Sequence, residues 1–96
     1  MITYGEITLK SGFKYQVELH SVKTDSMGNL YGGKFKNDTD FLTQLESDAK
    51  DVGSWKAVQE MNIQFDYRGN NFDCDILVQD VFNEFISFKV IKMLAM

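Results

Sequence analysis

The sequence predicts an α+β domain: an antiparallel sheet of about five to six strands, arranged as hairpins and packed on one main helix, in the order β-β-β-α-β-β-β. Three observations carry this expectation. Apolar and polar residues alternate from Ile7 to Leu19 and again from Met61 to Val78, the period of a half-buried strand. Only the stretch between Asp38 and Gly53 repeats its apolar residues with helical spacing. The 96 residues, 44% apolar and 14% aromatic, suffice for one core, and no linker, repeat or low-complexity tract divides residues 1–96 into two domains.

The first hairpin follows from parity. Ile7, Leu9, Phe13, Tyr15, Val17 and Leu19 are all odd-numbered, so partners on one core face must have an even sum. A three-residue Lys10-Ser11-Gly12 loop meets that condition, pairing Leu9 with Phe13 and Ile7 with Tyr15 and placing Gly12 where a left-handed bulge residue belongs. The other face then carries Glu6, Thr8, Lys14, Gln16 and Glu18. Residues Thr24 to Asn29 have the composition of a loop, and Leu30 to Lys36 read as a third strand in which Gly32 and Gly33 mark a bulge or a close backbone approach.

Asp38 or Asp40 caps a helix whose apolar face is Phe41, Leu42, Leu45, Ala49 and Val52, and Gly53 ends it. Its other face, with Gln44, Glu46, Ser47, Asp48 and Asp51, is acidic and expected in solvent. Residues 54–60 fit a helical turn or a strand equally. Met61 to Tyr67 and Phe72 to Val78 form a hairpin around Arg68-Gly69-Asn70-Asn71, expected to place Phe65 opposite Cys74, Ile63 opposite Ile76 and Asp66 opposite Asp73. Phe85 to Leu94 read as a strand, with a terminal helix as the alternative. The apolar tail, Val90 to Met96, is expected to dock on its own sheet, with a second copy of the chain as the other option, giving a monomer or a homodimer.

Charge narrows the function. The formal net charge of −4 is uneven: residues 37 to 84 hold eleven of the fourteen acids and three of the ten bases, a net −8, and each flank carries +2. Such a field favours a protein partner with a basic surface and disfavours direct nucleic-acid binding, unless a lysine and aromatic face elsewhere stacks bases. The single Cys74 excludes an internal disulfide and a multi-cysteine metal site, which points to a reducing, cytoplasmic setting. The N-terminal residues lack the basic-then-apolar order of a secretion signal. Phe85 to Met96, broken by two lysines, is too short to span a bilayer, so no membrane association is expected.

Gly28-Asn29-Leu30-Tyr31-Gly32-Gly33-Lys34 has the glycine and lysine spacing of a phosphate-binding loop, but Phe35-Lys36 follows in a strand pattern where a helix is required. His20 and Cys74 lie on distant hairpins, and Cys74 falls on the apolar face, so no thiol–imidazole pair is expected. With no nucleophile, base and oxyanion arrangement to assemble, the chain is not expected to be an enzyme, and no cofactor or metal is implied.

The expected function is a non-catalytic protein-binding or inhibitory module. Its partner-binding residues would be Asp66, Asp73 and Asp75 on the hairpin, Glu46, Asp48 and Asp51 on the helix, and Trp55 as an aromatic anchor. In size and charge, though in no motif, the chain resembles the small inhibitors that phages encode, some of which imitate nucleic acid. The alternatives are a small-molecule or ion-binding protein using Tyr31, Gly32, Gly33 and Lys34, or a minor structural subunit of a larger assembly.

Overall fold

Two three-stranded meanders joined by one helix close edge to edge into a six-stranded antiparallel barrel in the computed structural model, which describes residues 3–81 and 84–94. The first meander is β1 (Thr3–Thr8), β2 (Lys14–Thr24) and β3 (Leu30–Lys36); the second is β4 (Glu60–Tyr67), β5 (Asn70–Val81) and β6 (Phe85–Met93); α1 (Thr39–Val52) lies between them in the chain. The order around the barrel is β1-β2-β3-β6-β5-β4. Two seams therefore close it, β1 against β4 with Ile7 opposite Ile63, and β3 against β6 with Phe35 opposite Ile86.

This corrects the expected α+β sheet packed on one main helix. The core lies inside the barrel, and the helix is an accessory at one end. Strand twist brings the outer strands of the two meanders together, and pairing them satisfies a row of amide and carbonyl groups that an open sheet would leave unpaired. Among the described residues each of the six strands has a paired neighbour on both sides. Ile7, Ile63, Ile76 and Ile86 are fully buried in the interior, each stabilising the fold by roughly 1.5–3 kcal/mol.

Local elements follow the patterns that encode them. Ile7 pairs with Tyr15, Gly12 has φ 96°, and the Leu9 amide donates to the Phe13 carbonyl at 2.9 Å, as the three-residue loop requires. Phe13 itself is half-exposed, because it sits at the loop end beyond the last strand pair. In the next turn the Asp25 carboxylate accepts from the Asn29 and Met27 amides, and the Asn29 bond leads in holding its pKa below the ordinary value. Gly28 lies in that turn and Lys34 within β3, so no helix follows the lysine as a phosphate loop would need.

Asp38 caps α1 by accepting from the Asp40 and Phe41 amides, and Gly53 ends it in the left-handed region. The Phe41 ring meets Tyr15 and Phe35 edge-on at 5.9 and 5.5 Å, which lays the helix over the barrel end that holds the β1–β2 loop. Residues 54–59 form turns, with Val58 buried, before β4 begins. Val52 is exposed at the last helical position rather than in the core.

The β4–β5 register differs from expectation by two residues. Arg68 and Gly69, with φ 52° and 80°, make a two-residue turn of the primed type, whose twist suits a hairpin. Phe65 therefore stacks on Phe72, Ile63 faces Cys74 and Met61 faces Ile76. An even shift leaves every side chain on its expected face. β6 is a strand, and its broken alternation reflects register shifts against β5 on either side of Ile76 to Val78. Within the apolar tail, Val90 packs against the core while Ile91 and Met93 are partly exposed; Ala95 and Met96 lie outside the described residues.

Candidate functional site

Barrel closure sorts the outward side chains into two faces of opposite character. The first covers β1, β4 and β5. One row across it runs Gln16, Glu6, Gln64, Asp73 from β2 to β5, alternating amide and carboxylate. The next runs Thr8, Asn62, Asp75 and reaches Lys92 on β6. Asp73 accepts from Asn62 Nδ2 at 2.7 Å and from Gln64 Nε2 at 3.2 Å, and Asp66 accepts from Asn71 Nδ2 at 2.8 Å. Asp66 thus faces Asn71, and the expected like-charge pair with Asp73 is absent. Amides interleaved among the acids remove the repulsion that opposed carboxylates would exert. Each carboxylate keeps unused lone pairs. Tyr4, Glu6, Gln16, Gln64, Asp66 and Asn71 line a shallow groove of about 550 Å³ on this face.

The acidic helix residues do not join this surface. Asp48 is 8% exposed and accepts from Ser11 in the β1–β2 loop and from Gln44 Nε2 at 2.9 Å. It tethers the helix to the barrel instead of facing solvent, a correction for this one residue, while Glu46, Ser47 and Asp51 of the same face are exposed as expected. Glu46 and Trp55 border one cleft beside the helix C-terminus and Asp51 another, and none of the three lines the groove of the β1–β4–β5 face. Trp55 is 49% exposed.

Gly32 and Gly33 are explained by the barrel. A Cβ on Gly33 would lie 2.3 Å from the Ser21 carbonyl oxygen and 2.9 Å from the Phe88 ring, and one on Gly32 would lie 2.9 Å from the Phe88 carbonyl oxygen. Lys34 points outward from the same strand, and Tyr31 is 55% exposed.

The second face lies on β2, β3 and β6, where the sequence allows for a lysine and aromatic face but does not place it. Lys23, Gly32 and Lys89 form one row across these strands, and Ser21, Lys34 and Ser87 the next. Lys36 pairs with Phe85, on which His20 stacks at 4.2 Å. The signal for this face is the +2 on each flank of the chain, but only the β3–β6 seam makes the two flanks neighbours.

Cys74 is buried among the core side chains, and burial first, then Asp73 and Asp75, pushes its thiol up to about 12. His20 lies on the outer surface, so the two do not meet. Among the described residues no three carboxylate, thiol or imidazole groups converge as a metal site, and no helix is long and apolar enough to cross a membrane. No protein-family model, curated protein or solved structure matches the chain.

Proposed function

We propose that the protein is a non-catalytic binding module whose β1–β4–β5 face engages a basic surface on a protein partner in the cytoplasm. The observation that supports this reading is Asp73 with Asp66 beside it: carboxylates fixed by the Asn62, Gln64 and Asn71 amide donors and in no ion pair with a lysine among the described residues, whereas Glu6 in the neighbouring position pairs with Lys14 at 3.5 Å. A carboxylate held in place by a neutral donor keeps its charge and its orientation, so arginine or lysine of a partner binds it without first displacing an internal cation. The groove gives such a side chain room beside Tyr4, which is half-exposed. The reduced, buried thiol of Cys74 is compatible with that compartment.

Affinity capture with the wild-type protein and with an Asp66→Asn, Asp73→Asn variant tests the reading. The expected result is a specific protein retained by the wild type at low salt, released at high salt and not retained by the variant. Retention that is indifferent both to salt and to the two substitutions refutes it.

A further inference from the structure

We propose that the opposite face, on β2, β3 and β6, binds single-stranded nucleic acid. The sequence average hides this surface. Residues 1 to 36 and 85 to 96 each carry only +2, at opposite ends of the chain. The β3–β6 seam merges them, so that Lys23 and Lys89 flank Gly32 across three strands, with Lys34 in the adjoining row. Neighbouring strands lie about 4.8 Å apart, which sets the backbones of Lys23 and Lys89 on the order of 10 Å from each other across a bare glycine.

These lysines are available. The ion pairs of the described residues are Lys10 with Glu60 and Lys14 with Glu6, so Lys23, Lys34 and Lys89 have no carboxylate within bonding distance among those residues. Ser21 and Ser87 flank Lys34 and add hydroxyl donors suited to phosphate oxygens. The acids of the other face do not cancel this charge. The molecule measures 39 × 26 × 20 Å, and at physiological ionic strength screening acts over about 8 Å. Glu18 and Glu84 border His20 and Lys36 nearer the helix end, and Asp80 on β5 lies opposite Ser87, two strands from Lys34, which centres the strongest positive field on the row of Lys23 and Lys89 with Lys34 beside it.

Aromatic placement selects a single strand over a duplex. The register shift between Lys23 and Thr24 leaves Tyr31 without a partner on β2, and the residue is 55% exposed next to Gly32 in the chain. An exposed ring among lysines offers a stacking platform to an unpaired base, whereas bases within a duplex are stacked already. Phe85 and His20 form a stacked pair further along the same face.

Fluorescence anisotropy with labelled DNA and RNA oligonucleotides tests the proposal, with a duplex of equal length and polyglutamate as competitors. Single strands of DNA, RNA or both should bind, with log affinity falling against log salt at a slope of about −2, as three phosphate contacts require. Lys34→Gln with Lys89→Gln should flatten that slope by about 1.4. Tyr31→Ala should weaken binding about fivefold or more while leaving the slope unchanged. Asp66→Asn with Asp73→Asn should leave affinity for the oligonucleotide within twofold. Circular dichroism and melting temperature, unchanged in these surface variants, keep a loss of binding separate from a loss of folding. Absence of single-strand binding, a preference for the duplex, or lysine variants that bind as the wild type does would overturn the proposal. Stronger binding of polyglutamate than of the oligonucleotide would overturn it too, in favour of an acidic protein surface as the partner.

Discussion

Replacing Gly33 with alanine should damage the barrel more than the same change at the other strand glycines, Gly5 and Gly32. The new Cβ would sit 2.3 Å from the Ser21 carbonyl oxygen and 2.9 Å from the Phe88 ring. Neither neighbour yields easily: the carbonyl is backbone held in the β2–β3 ladder, and Phe88 is 3% exposed beside Phe35. Overpacking a core typically costs about 1–3 kcal/mol, and an obstacle of backbone atoms puts this site at the upper end. For a domain of this length about 3 kcal/mol lowers the melting temperature by roughly 12–24 °C. Thermal and urea unfolding followed by circular dichroism measure it. Gly28→Ala is the control, since no atom lies within 4 Å of the added Cβ and only the left-handed φ of 84° opposes it, at about 1–2 kcal/mol. A Gly33→Ala protein as stable as the wild type would refute the close approach of β2, β3 and β6 at that point.

Asp48→Ala leaves Ser11 and Gln44 without their acceptor and should cost about 1–3 kcal/mol, with a double-mutant cycle against Ser11→Ala showing coupling between helix and loop. Asn71→Asp sets a carboxylate opposite Asp66 and should destabilise by up to about 1 kcal/mol at low salt and less at high salt, read as melting temperature against ionic strength. Because the folded thiol of Cys74 is raised from 9.0 to about 12, the folded state keeps a proton that the unfolded chain releases. Stability from this group is therefore complete below pH 9 and falls as pH rises toward 12, by up to about 1.4 kcal/mol per unit. Urea unfolding between pH 9 and 11 should show that slope in the wild type and lose it in Cys74→Ala.

Local structure was legible where a residue's neighbours in sequence are its neighbours in space. The parity of Ile7 through Leu19 leaves one loop length for the first hairpin, and Asp38 and Gly53 bracket the helix by their capping chemistry. The second hairpin escaped by two residues because Arg68 adopts a positive φ, a conformation that its type does not announce. Asp48 could have been placed correctly. It falls seven residues after Phe41 and three after Leu45, on the buried stripe of the helix, and only its charge suggested solvent. Closure was not legible, because the seams join segments about fifty to sixty residues apart with no turn to encode them. The charge sum over the chain does not show this arrangement for the same reason, since it averages two faces that the barrel separates.

Backbone nuclear Overhauser effects across the two seams test the account most directly. Closure predicts contacts between Ile7 and Ile63 and between Phe35 and Ile86 in the same molecule, with slow amide exchange in both pairs of strands. Contacts across one seam alone, with rapidly exchanging amides along the other, would describe an open sheet and contradict the separation of the acidic and basic faces.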